Sequence, residues 1–487
     1  MTTARRALAI DIGAQSGRGI VGSFDGERLT LEQVHRFESG TVELAGGRYS
    51  DLPALLESVR AAIALASGEP LHSVAVDTWG VDYGLIDATG ELISLPHAYR
   101  DEWTMGAVEA VEAAFPDLDL YGLTGGQTLR INTLFQLWAQ RERSPWALEA
   151  ADRLLMAPDL LGYWLSGVAF NELTAAGTTQ LVSATTRDWT RSLIDRLGFP
   201  QRVFRDLVEP GTVVGSLNEA SGGSAQTNLV TTASHDTAAA VAGSVALRPG
   251  TAYISAGSWC IVGVEVDQPV IDERSRLADL SNELGVEGDI RLLKNVIGLW
   301  LLGESRRHWQ EQGIDITHEA MVEAAEHEPP LQHVFDPDDS SLLAPGDMPV
   351  RIARLIGVDG ELSPSATTRA IVDSLALKFR WVLEQLEGAS GVAIDRVNLV
   401  GGGARDRVLC QTTADASGRT VVAGPVEATA LGNILVQLMA HGDVASLEEG
   451  RQLAARSLEF ATYEPRDRSR WDEAFATFRL GLKGRSR

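Results

Sequence analysis

The chain contains the same strand–turn–strand pattern twice, about half a chain apart. In the first copy, residues 8–10 are an apolar strand and residues 11–18 a turn of small and hydroxyl side chains. In the second copy, residues 251–254 are the strand and residues 255–258 the turn. Small residues let backbone N–H groups approach an anion closely, and serine hydroxyls add hydrogen-bond donors. Two such turns could hold both ends of a polyphosphate, so the pattern predicts two related α/β halves that bind a nucleotide.

The length of the chain supports two domains. A chain of 487 residues is too long for a single hydrophobic core. A hydrophobic content of 44% and a charged content of 22% are ordinary for a globular protein. The turn Arg248-Pro249-Gly250 marks the predicted boundary, which divides the chain into residues 1–247 and 248–487.

The apolar pattern predicts several elements inside these domains. A helix is expected over residues 52–66, with Asp51 as its N-cap. A long helix is expected over residues 366–388, because apolar residues recur along one of its faces. Residues 81–94 predict a hairpin, and residues 103–200 predict a mostly helical region.

Composition also bears on partners and location. The formal net charge of −24 repels nucleic acid and anionic lipid. No apolar stretch approaches the length of about 18 residues that a membrane helix needs, and the N-terminus lacks the apolar core of a signal peptide. Cys260 and Cys410 lie in separate apolar segments and imply no disulfide framework. We therefore expect a cytoplasmic protein that binds neither nucleic acid nor membrane, and the composition leaves its oligomeric state open.

The first turn combines an acidic and a basic residue. Residues 11–18 have the sequence Asp-x-Gly-x-x-Ser-x-Arg, which is longer than the Asp-x-Gly of many structural turns. Asp11 can hold Mg²⁺ through water molecules, because Mg²⁺ sheds its hydration shell reluctantly. Arg18 supplies a guanidinium group for phosphate oxygens. A purely structural turn is the alternative, and the full run favours phosphate binding.

Asp236 follows an apolar strand at residues 229–232 and precedes a helix of small residues. By default, an aspartate in this position caps the helix N-terminus. Ser234, His235 and Asp236 are not a hydrolase triad, because neighbours in sequence cannot adopt the relay geometry. An ionised carboxylate could instead accept the proton of a hydroxyl that attacks a phosphorus atom. Because a cleft is expected near the domain boundary, we favour this role as general base.

Two further segments are ambiguous. Residues 77–82 combine Trp79 with two carboxylates, as carbohydrate sites often do, but a core tryptophan beside a turn explains them equally well. Residues 401–403 are three glycines between a strand and a helix, which form either a packing turn or a surface for an adenosine. No G-x-x-x-x-G-K-[ST] motif occurs, which excludes a Walker-type kinase. The histidines and cysteines show no zinc-binding pattern.

Short motifs extend over nearly the whole chain: residues 11–18, 76–82 (VDTWGVD), 98–101 (AYRD), 132–137 (NTLFQL), 178–182 (TTQLV), 234–238 (SHDTA), 293–302 (LKNVIGLWLL), 400–403 and 423–431 (AGPVEATAL). Together they resemble the FGGY family of carbohydrate kinases, within the actin/hexokinase/Hsp70 superfamily. The resemblance implies an α/β protein with two ribonuclease-H-like (actin/hexokinase-type) domains and an inter-domain cleft. Residues 1–247 would bind the sugar and carry the first phosphate turn, and residues 248–487 would bind ATP and end in a helix.

The resemblance also implies roles for individual residues. Asp236 would be the catalytic proton acceptor, and Asp11 would face Mg²⁺. The sugar contacts would be Gly80, His235, Asp236, Thr237 and Asn295. The ATP contacts would be Ala14, Gln15, Ser16, Gly17, Arg18, Ser258, Gly303 and Gly402.

Three of the implied ATP contacts depart from the family pattern that the chain matches. Gln15 replaces a serine, and Ser258 replaces a threonine and so keeps the hydroxyl. Gly303 replaces a glutamine, which removes any side-chain contact with ATP at that position.

The reaction that the resemblance implies is transfer of the γ-phosphate of ATP to the primary C1 hydroxyl of a ketose, L-rhamnulose. A kinase for another ketose or polyol, such as fuculose, xylulose or glycerol, is the alternative within the same class. A non-catalytic, actin-like ATP switch is the alternative from another class, and it would hydrolyse ATP slowly whether or not sugar is present. His235, Asp236 and Thr237 favour the kinase.

Overall fold

The structure, a computed structural model, describes residues 4–483. Within this range the chain forms two compact units. Unit 1 comprises the residues up to 245 together with 265–292 and 428–458. Unit 2 comprises residues 246–264, 293–427 and those from 459 onward. The chain thus passes between the units several times, and the contiguous division at 247/248 stays a prediction.

Strands and helices alternate in both units. In the described residues the strands are β1 (Arg5–Ile12), β2 (Ser16–Phe24), β3 (Leu29–Glu38), β4 (Thr41–Leu44), β5 (Gly47–Ser50), β6 (Ser73–Thr78), β7 (Tyr83–Asp87), β8 (Ala151–Met156), β9 (Asn171–Glu172), β10 (Val182–Ser183), β11 (Asp188–Trp189), β12 (Leu207–Val208), β13 (Val213–Ser216), β14 (Asn228–Val230), β15 (Thr251–Ala256), β16 (Trp259–Val266), β17 (Ser281–Leu284), β18 (Ile290–Ile297), β19 (Arg396–Val400), β20 (Thr420–Ala423) and β21 (Ala461–Tyr463).

The α-helices of the described residues are α1 (Leu52–Ala66), α2 (Ala107–Ala114), α3 (Leu120–Thr124), α4 (Thr133–Arg143), α5 (Pro145–Ala150), α6 (Ala157–Ser166), α7 (Leu173–Gly177), α8 (Arg191–Arg196), α9 (Asp236–Ala242), α10 (Glu273–Leu277), α11 (Trp300–Glu311), α12 (His318–Glu326), α13 (Met348–Leu355), α14 (Pro364–Ser390), α15 (Arg407–Ser417), α16 (Ala428–Ala440), α17 (Leu447–Ser457) and α18 (Arg468–Lys483). Short 3₁₀ turns lie at Glu102–Thr104, Gln201–Val203, Glu219–Ser221, Val286–Gly288, Ser340–Leu342 and Gly402–Arg405.

The main sheet of unit 1 has the strand order β13-β14-β6-β1-β2-β3. β1 and β2 form an antiparallel hairpin, and β6 runs parallel to both β1 and β14. Residues 7–10 and 74–76 are apolar and buried, as expected for central strands covered on both faces. The carboxyl ends of β1 and β6 therefore lie side by side, and the residues that end these strands share one edge of the sheet.

Two helices of unit 1 pack backbone against backbone. A β-carbon on Gly243, directly after α9, would collide with the carbonyl oxygen of Ala428 on α16. One on Gly432 of α16 would collide with the carbonyl oxygen of Ala239 on α9. Only glycine permits such an approach. Because α16 also contacts β1 and β6, it fixes where α9 begins relative to the sheet.

Unit 2 repeats the arrangement of unit 1. The β15–β16 hairpin belongs to a seven-stranded sheet with the order β17-β18-β16-β15-β19-β20-β21. β15 and β16 form an antiparallel hairpin, and β19 runs parallel to β15 as β6 does to β1. The two hairpins that the sequence shares therefore occupy equivalent positions in the two units.

The helices predicted at residues 52–66 and 366–388 are confirmed. Asp51 is the N-cap of α1, and its side chain accepts the N–H of Ala54. In α14 the predicted apolar face is buried throughout: Ile371, Leu375, Phe379, Val382 and Leu386.

The hairpin predicted over residues 81–94 is confirmed in part, because the chain reverses direction at residues 88–90 and the N–H of Ile93 donates to the carbonyl oxygen of Leu85 at 2.9 Å. β7 pairs with β8, and the expected return strand is reduced to an isolated bridge between Ile86 and Leu92. Residues 103–200 contain helices α2 to α8, as predicted, but also the four short strands β8 to β11 of the described chain. Across residues 4–483, no helix combines the length and the apolar character that crossing a membrane requires.

Candidate active site

The first predicted phosphate turn is the tip of the β1–β2 hairpin. Asp11 is paired with Arg18 across the two strands. The N–H of Gly13 donates to the carbonyl oxygen of Ser16 at 3.0 Å, which closes the turn. Residues 14 and 15 are exposed at the tip. The turn is therefore tight, and its most accessible atoms belong to two of the predicted ATP contacts.

Packing and a serine hold this tip in place. Gly17 is buried, and a β-carbon there would overlap the ring of Phe37. The Ser39 hydroxyl donates to the carbonyl oxygen of Gly13 at 2.6 Å, and the Ser39 N–H donates to that of Gln15 at 3.2 Å. The glycine at position 17 is thus required for packing, whatever it contributes to ligand binding.

Asp77 is a fully buried carboxylate beside this turn. Its register partner on β1 is Asp11, and its Oδ2 accepts a hydrogen bond of 2.6 Å from the Asn433 side chain on α16. Burial raises the pKa of Asp77 well above its ordinary value, and the charges of Asp11 and Asp236 raise it further against the opposing effect of Asn433. Asp11 and Asp236 therefore both lie within electrostatic reach of Asp77 in unit 1.

Asp236 is the first residue of α9. His235 occupies the N-cap position, so the interpretation of Asp236 as the helix cap is wrong. The Oδ1 atom of Asp236 accepts the N–H of Thr237 at 2.6 Å and its hydroxyl at 3.2 Å. The side chain of Asp236 is 30% exposed, which leaves it accessible to a substrate.

The surroundings of Asp236 act on its basicity in opposite directions. Burial raises the pKa of Asp236, while the neighbouring His235, the hydrogen bonds from Thr237 and the charge of Arg291 oppose the rise. The net effect is a raised pKa, which makes the carboxylate a stronger proton acceptor than an aspartate in water.

The short helix α7 and the residues beside it contact two of the predicted sugar-binding segments. The Thr178 hydroxyl accepts the N–H of Val81 at 2.9 Å, and a β-carbon on Gly80 would lie 2.7 Å from the Thr178 methyl group. On the other side, Glu172 accepts the N–H of Ser234 at 3.2 Å. Gly80 and the loop that leads into α9 are therefore fixed by one structural element.

Glu172 is bound by several donors of its own segment. It accepts the N–H of Thr174 at 2.9 Å, the Thr174 hydroxyl at 2.7 Å and the N–H of Ala175 at 2.9 Å. Burial raises the pKa of Glu172 to about 7, and these hydrogen bonds limit the rise. Because the Thr174 hydroxyl also accepts the N–H of His235 at 3.3 Å, the segment supports the residue before Asp236.

Two residues that no motif marks lie next to His235. The Oε2 atom of Glu283 on β17 is 3.5 Å from His235 Nδ1 and 2.9 Å from Arg291 Nη2 on β18. Burial acts to raise the pKa of Glu283, but Arg291 and His235 together lower it to about 2. Sequence reasoning missed both residues, because they lie in ordinary strands and only the tertiary fold brings them to His235.

The segment around Trp79 mostly serves the structure. Asp82 is fully buried, and its Oδ2 accepts the Trp79 indole N–H at 2.9 Å and the Ser50 hydroxyl at 2.7 Å. Burial raises the pKa of Asp82 to about 7. Of the two interpretations of this segment, the tryptophan beside a turn describes Trp79 and Asp82, while Asp77 belongs to the carboxylates near Asp236.

The second predicted phosphate turn lies in unit 2, between β15 and β16. The carbonyl oxygen of Ser258 accepts the N–H groups of Gly298 and Trp300, both at 3.1 Å. The carbonyl oxygen of Gly257 accepts the N–H of Leu299 at 2.9 Å. The turn is therefore anchored to the segment that begins α11.

The glycine run at residues 401–403 packs against the strand that precedes this turn. A β-carbon on Gly403 would lie 2.5 Å from that of Ala256, and one on Gly402 would lie 4.0 Å from the Ala256 carbonyl oxygen. Gly401 has a φ of 81°, in the left-handed region that glycine adopts without strain. The packing interpretation of this run is thus confirmed, and its contact with an adenosine stays a prediction.

The remaining predicted contacts, Asn295 and Gly303, also belong to unit 2. Asn295 is half-buried on β18, and Gly303 is exposed in the first turn of α11. A β-carbon on Gly303 would have no neighbour within 4 Å. Among the predicted sugar contacts, Asn295 is in unit 2 whereas Gly80, His235, Asp236 and Thr237 are in unit 1.

A buried lysine supports the anchor of the second turn. Nζ of Lys378 on α14 lies 2.8 Å from a carboxylate oxygen of both Asp336 and Asp338. Burial acts to lower the pKa of Lys378, but these two carboxylates hold it above its ordinary value. Asp338 in turn accepts the N–H of Ile297 at 2.8 Å, at the end of β18. Through Asp338, Lys378 therefore connects α14 to the end of β18, next to the residues that donate hydrogen bonds to the Ser258 turn.

Relatives in sequence resemble the chain over nearly its full length. It is 40% identical to a rhamnulokinase of Bacteroides thetaiotaomicron over 480 residues, which cover 97% of this chain and 98% of the relative. It is 36% identical to a rhamnulokinase of Enterococcus faecalis, with 94% of each chain covered.

Solved structures share the fold at much lower identity. The gluconate kinase of Lactobacillus acidophilus superposes with a TM-score of 0.83 at 14% identity and covers 99% of this chain and 98% of that one. The glycerol kinase of Plasmodium falciparum, solved with ADP, gives a TM-score of 0.77 at 15% identity and covers 100% of this chain and 99% of that one.

Family models match both parts of the chain. The N-terminal domain model of the FGGY family of carbohydrate kinases matches residues 6–243, and the C-terminal domain model matches residues 252–441. A sugar kinase uses ATP as its phosphate donor, which excludes the non-catalytic switch. With two hairpin-based α/β units and these matches, the chain is a two-domain carbohydrate kinase that belongs to the FGGY family.

Proposed function

We propose that the chain transfers the γ-phosphate of ATP to the C1 hydroxyl of L-rhamnulose and yields L-rhamnulose 1-phosphate and ADP. The observation that carries the proposal is the accessible Asp236 carboxylate between His235 and Thr237, at the start of α9. Relatives at 36–40% identity that are rhamnulokinases support the choice of sugar. We also propose a cytoplasmic location, because the reaction consumes ATP.

In the proposed reaction Asp236 is the general base. The C1 oxygen of the sugar forms a bond to the γ-phosphorus, the bond from that phosphorus to the bridging oxygen of ADP breaks, and Asp236 accepts the hydroxyl proton. Because the transition state of phosphoryl transfer is loose, the protein contributes mainly positioning and charge neutralisation. The raised pKa of Asp236 supports this assignment.

We assign Gly80, His235, Thr237 and Asn295 to the sugar. The Ser258 turn would hold one part of the phosphate chain, and Gly402 would lie toward the adenosine. Gly303 would contribute backbone alone. The hairpin tip of unit 1 would hold phosphate through Ala14, Gln15, Ser16, Gly17 and Arg18.

Mg²⁺ is proposed to bind at Asp11. The residues fit a hard cation, because Asp11 lies beside Asp77, whose buried Oδ1 has no hydrogen-bond partner among the described residues. A cation here would offset the repulsion between the two carboxylates. No cluster of three or more His, Cys, Asp or Glu side chains suited to a metal occurs within residues 4–483. Mg²⁺ usually binds through one or two carboxylates together with water and substrate phosphates, and when bound it neutralises phosphate charge.

A panel of sugars tests the proposal. ADP release is measured with L-rhamnulose, L-fuculose, D-xylulose and glycerol at matched concentrations. We expect kcat/KM to be highest for L-rhamnulose and ADP release to be low without sugar. A higher kcat/KM for one of the other three would replace the proposed substrate with that compound.

A further inference from the structure

His235 lies between two carboxylates in unit 1. Its Nε2 is 3.5 Å from Asp236 Oδ1, and its Nδ1 is 3.5 Å from Glu283 Oε2. Nδ1 is buried and makes no hydrogen bond of good geometry with the described residues. The ring therefore has one nitrogen toward the predicted base and the other toward the interior of the unit.

Arg291 holds Glu283 in this position. The Arg291 side chain is only 1% exposed, and its Nη2 donates to Glu283 Oε2 at 2.9 Å. Arg291 Nε and Nη2 also donate to the carbonyl oxygen of Leu284, each at 3.2 Å. A guanidinium fixed at several points keeps the carboxylate from rotating away. The ion pair with Arg291 favours the anionic form of Glu283, and Arg291 and His235 hold the pKa of this carboxyl below its ordinary value.

We propose that Glu283 and Arg291 are positioning residues that orient His235, with Nδ1–H toward Glu283 and Nε2 toward the sugar hydroxyl beside Asp236. An anion next to Nδ1 favours a proton on that nitrogen, since a carboxylate only accepts hydrogen bonds. Asp236 Oδ1 lies at the same distance from Nε2, but it already accepts the N–H and the hydroxyl of Thr237. Rotation of the ring by 180° would replace Nδ1 by a carbon atom and lose the interaction with Glu283. The contact thus selects both the tautomer and the orientation of the ring.

This inference rests on the proposed function for the identity of the sugar and for the placement of His235 and Asp236 at its hydroxyls. Thr237 and His235, the two polar neighbours of the predicted base, then have different roles. Thr237 hydrogen-bonds to Asp236 directly. His235, held by Glu283, offers a nitrogen to a substrate hydroxyl next to the reacting one. Glu283 and Arg291 act through His235 and touch neither substrate, so they determine how well the sugar is held.

The tautomer of His235 is the direct test. Ring ¹⁵N spectra of histidine-labelled full-length protein are compared for wild type, Glu283→Gln and the control Glu273→Gln, with the His235 signals identified from His235→Gln. Glu273 pairs with the exposed Arg276 and so provides a matched loss of one ion-paired carboxylate in unit 1. We expect protonation at Nδ1 in wild type and in the control, and a shift toward Nε2 protonation in Glu283→Gln. An unchanged tautomer in Glu283→Gln overturns the proposal.

Kinetics provide the second readout. In Glu283→Gln the KM for the ketose should rise about tenfold, the order expected when the hydrogen bond between a sugar hydroxyl and His235 Nε2 is lost, while the KM for ATP stays unchanged. A changed tautomer with an unchanged ketose KM also overturns the proposal.

Two further provisions keep the test decisive. If Glu283→Gln fails to fold because Arg291 is left unpaired, the double variant Glu283→Gln/Arg291→Met removes both charges and takes its place. If the wild type prefers another sugar, the proposed function fails, and the spectra together with the KM for that sugar still decide the role of Glu283.

Discussion

Unit 1 holds three aspartates, the predicted base among them, that differ in their surroundings more than in their sequence context. Asp77 accepts a hydrogen bond from Asn433, and Asp82 accepts hydrogen bonds from Trp79 and Ser50. Both carboxylates are fully buried. Asp236 alone of these three combines a raised pKa with a side chain that is 30% exposed. Motif spacing could point to each of them, but only burial and hydrogen bonding separate a base from structural carboxylates.

Replacing the predicted base tests its role. Asp236→Asn keeps the shape of the side chain and removes its proton affinity. We expect kcat to fall by about 10² to 10⁴, the usual contribution of a general base, with an unchanged melting temperature. Asp195→Asn, the same change on the exposed surface of α8, serves as the control. Turnover close to wild type in a normally folded Asp236→Asn would remove Asp236 from the mechanism.

Asp82 gives a prediction about stability and pH. The folded state raises its pKa from 3.8 to about 7, because burial disfavours the charged form. The stability that protonated Asp82 contributes is therefore complete below the unfolded pKa and is lost as the pH rises toward 7. Relative to Asp82→Asn, the unfolding free energy of the wild type should fall with a slope that approaches about 1.4 kcal/mol per pH unit and level off above the folded pKa.

Urea denaturation of both proteins between about pH 5.5 and 8 covers the upper part of this window. A free-energy difference that stays constant across the range would mean that Asp82 is ionised in the folded protein.

At the scale of elements, the sequence predicted the helices that local signals define. The Asp51 cap and the apolar face of α14 are local, and both are confirmed. The hairpin at residues 81–94 is confirmed only as a turn with one bridge, because the partner strand of β7 is β8, more than sixty residues further along the chain. The same reason hid the contacts of Glu283 with His235 and of Lys378 with Asp336, because these partners come from distant segments. Nothing in the sequence near these residues indicates those contacts.

The contact between α9 and α16 yields a prediction at this scale. Gly432→Ala places a methyl group against the carbonyl oxygen of Ala239, and the backbone of neither helix can move without disturbing the other. We expect a loss of about 3 kcal/mol or more in the free energy of unfolding, at the upper end of what overpacking costs. The kcat should also fall, because α9 begins at Asp236.

Gly388→Ala provides the matched control for this substitution. Gly388 is exposed on α14, and a β-carbon there would have no neighbour within 4 Å. Alanine should stabilise that helix by about 0.5–1 kcal/mol. If chemical denaturation shows the two variants to be equally stable, the close packing of α9 on α16 is not required.

At the scale of the whole molecule, the repeated hairpin predicted the family and the fold, but not how the chain is distributed. Kinases at 14–15% identity share the architecture, which shows how few residues the fold requires. Unit 1 nevertheless includes residues 265–292 and 428–458, which lie beyond the predicted boundary at 247. A sequence gives the order of elements along the chain, and it does not show that a late helix packs onto the first strand.

This distribution predicts the behaviour of the N-terminal half alone. Residues 1–247 lack α16, whose Leu431, Ile434, Leu435, Val436 and Leu438 are all buried in unit 1. Burial of each such side chain contributes about 1.5–3 kcal/mol, so their combined loss is comparable to the roughly 5–15 kcal/mol that keeps a typical domain folded. The fragment would also expose Asp77 and the carbonyl oxygen of Leu8, which Asn433 and Gln437 cover in the full chain.

We expect no cooperative thermal transition for this fragment by circular dichroism, and recovery of one on co-expression with residues 248–487. A sharp transition for the fragment alone, near that of the full chain, would show that the contiguous half is an autonomous domain despite the helix it lacks.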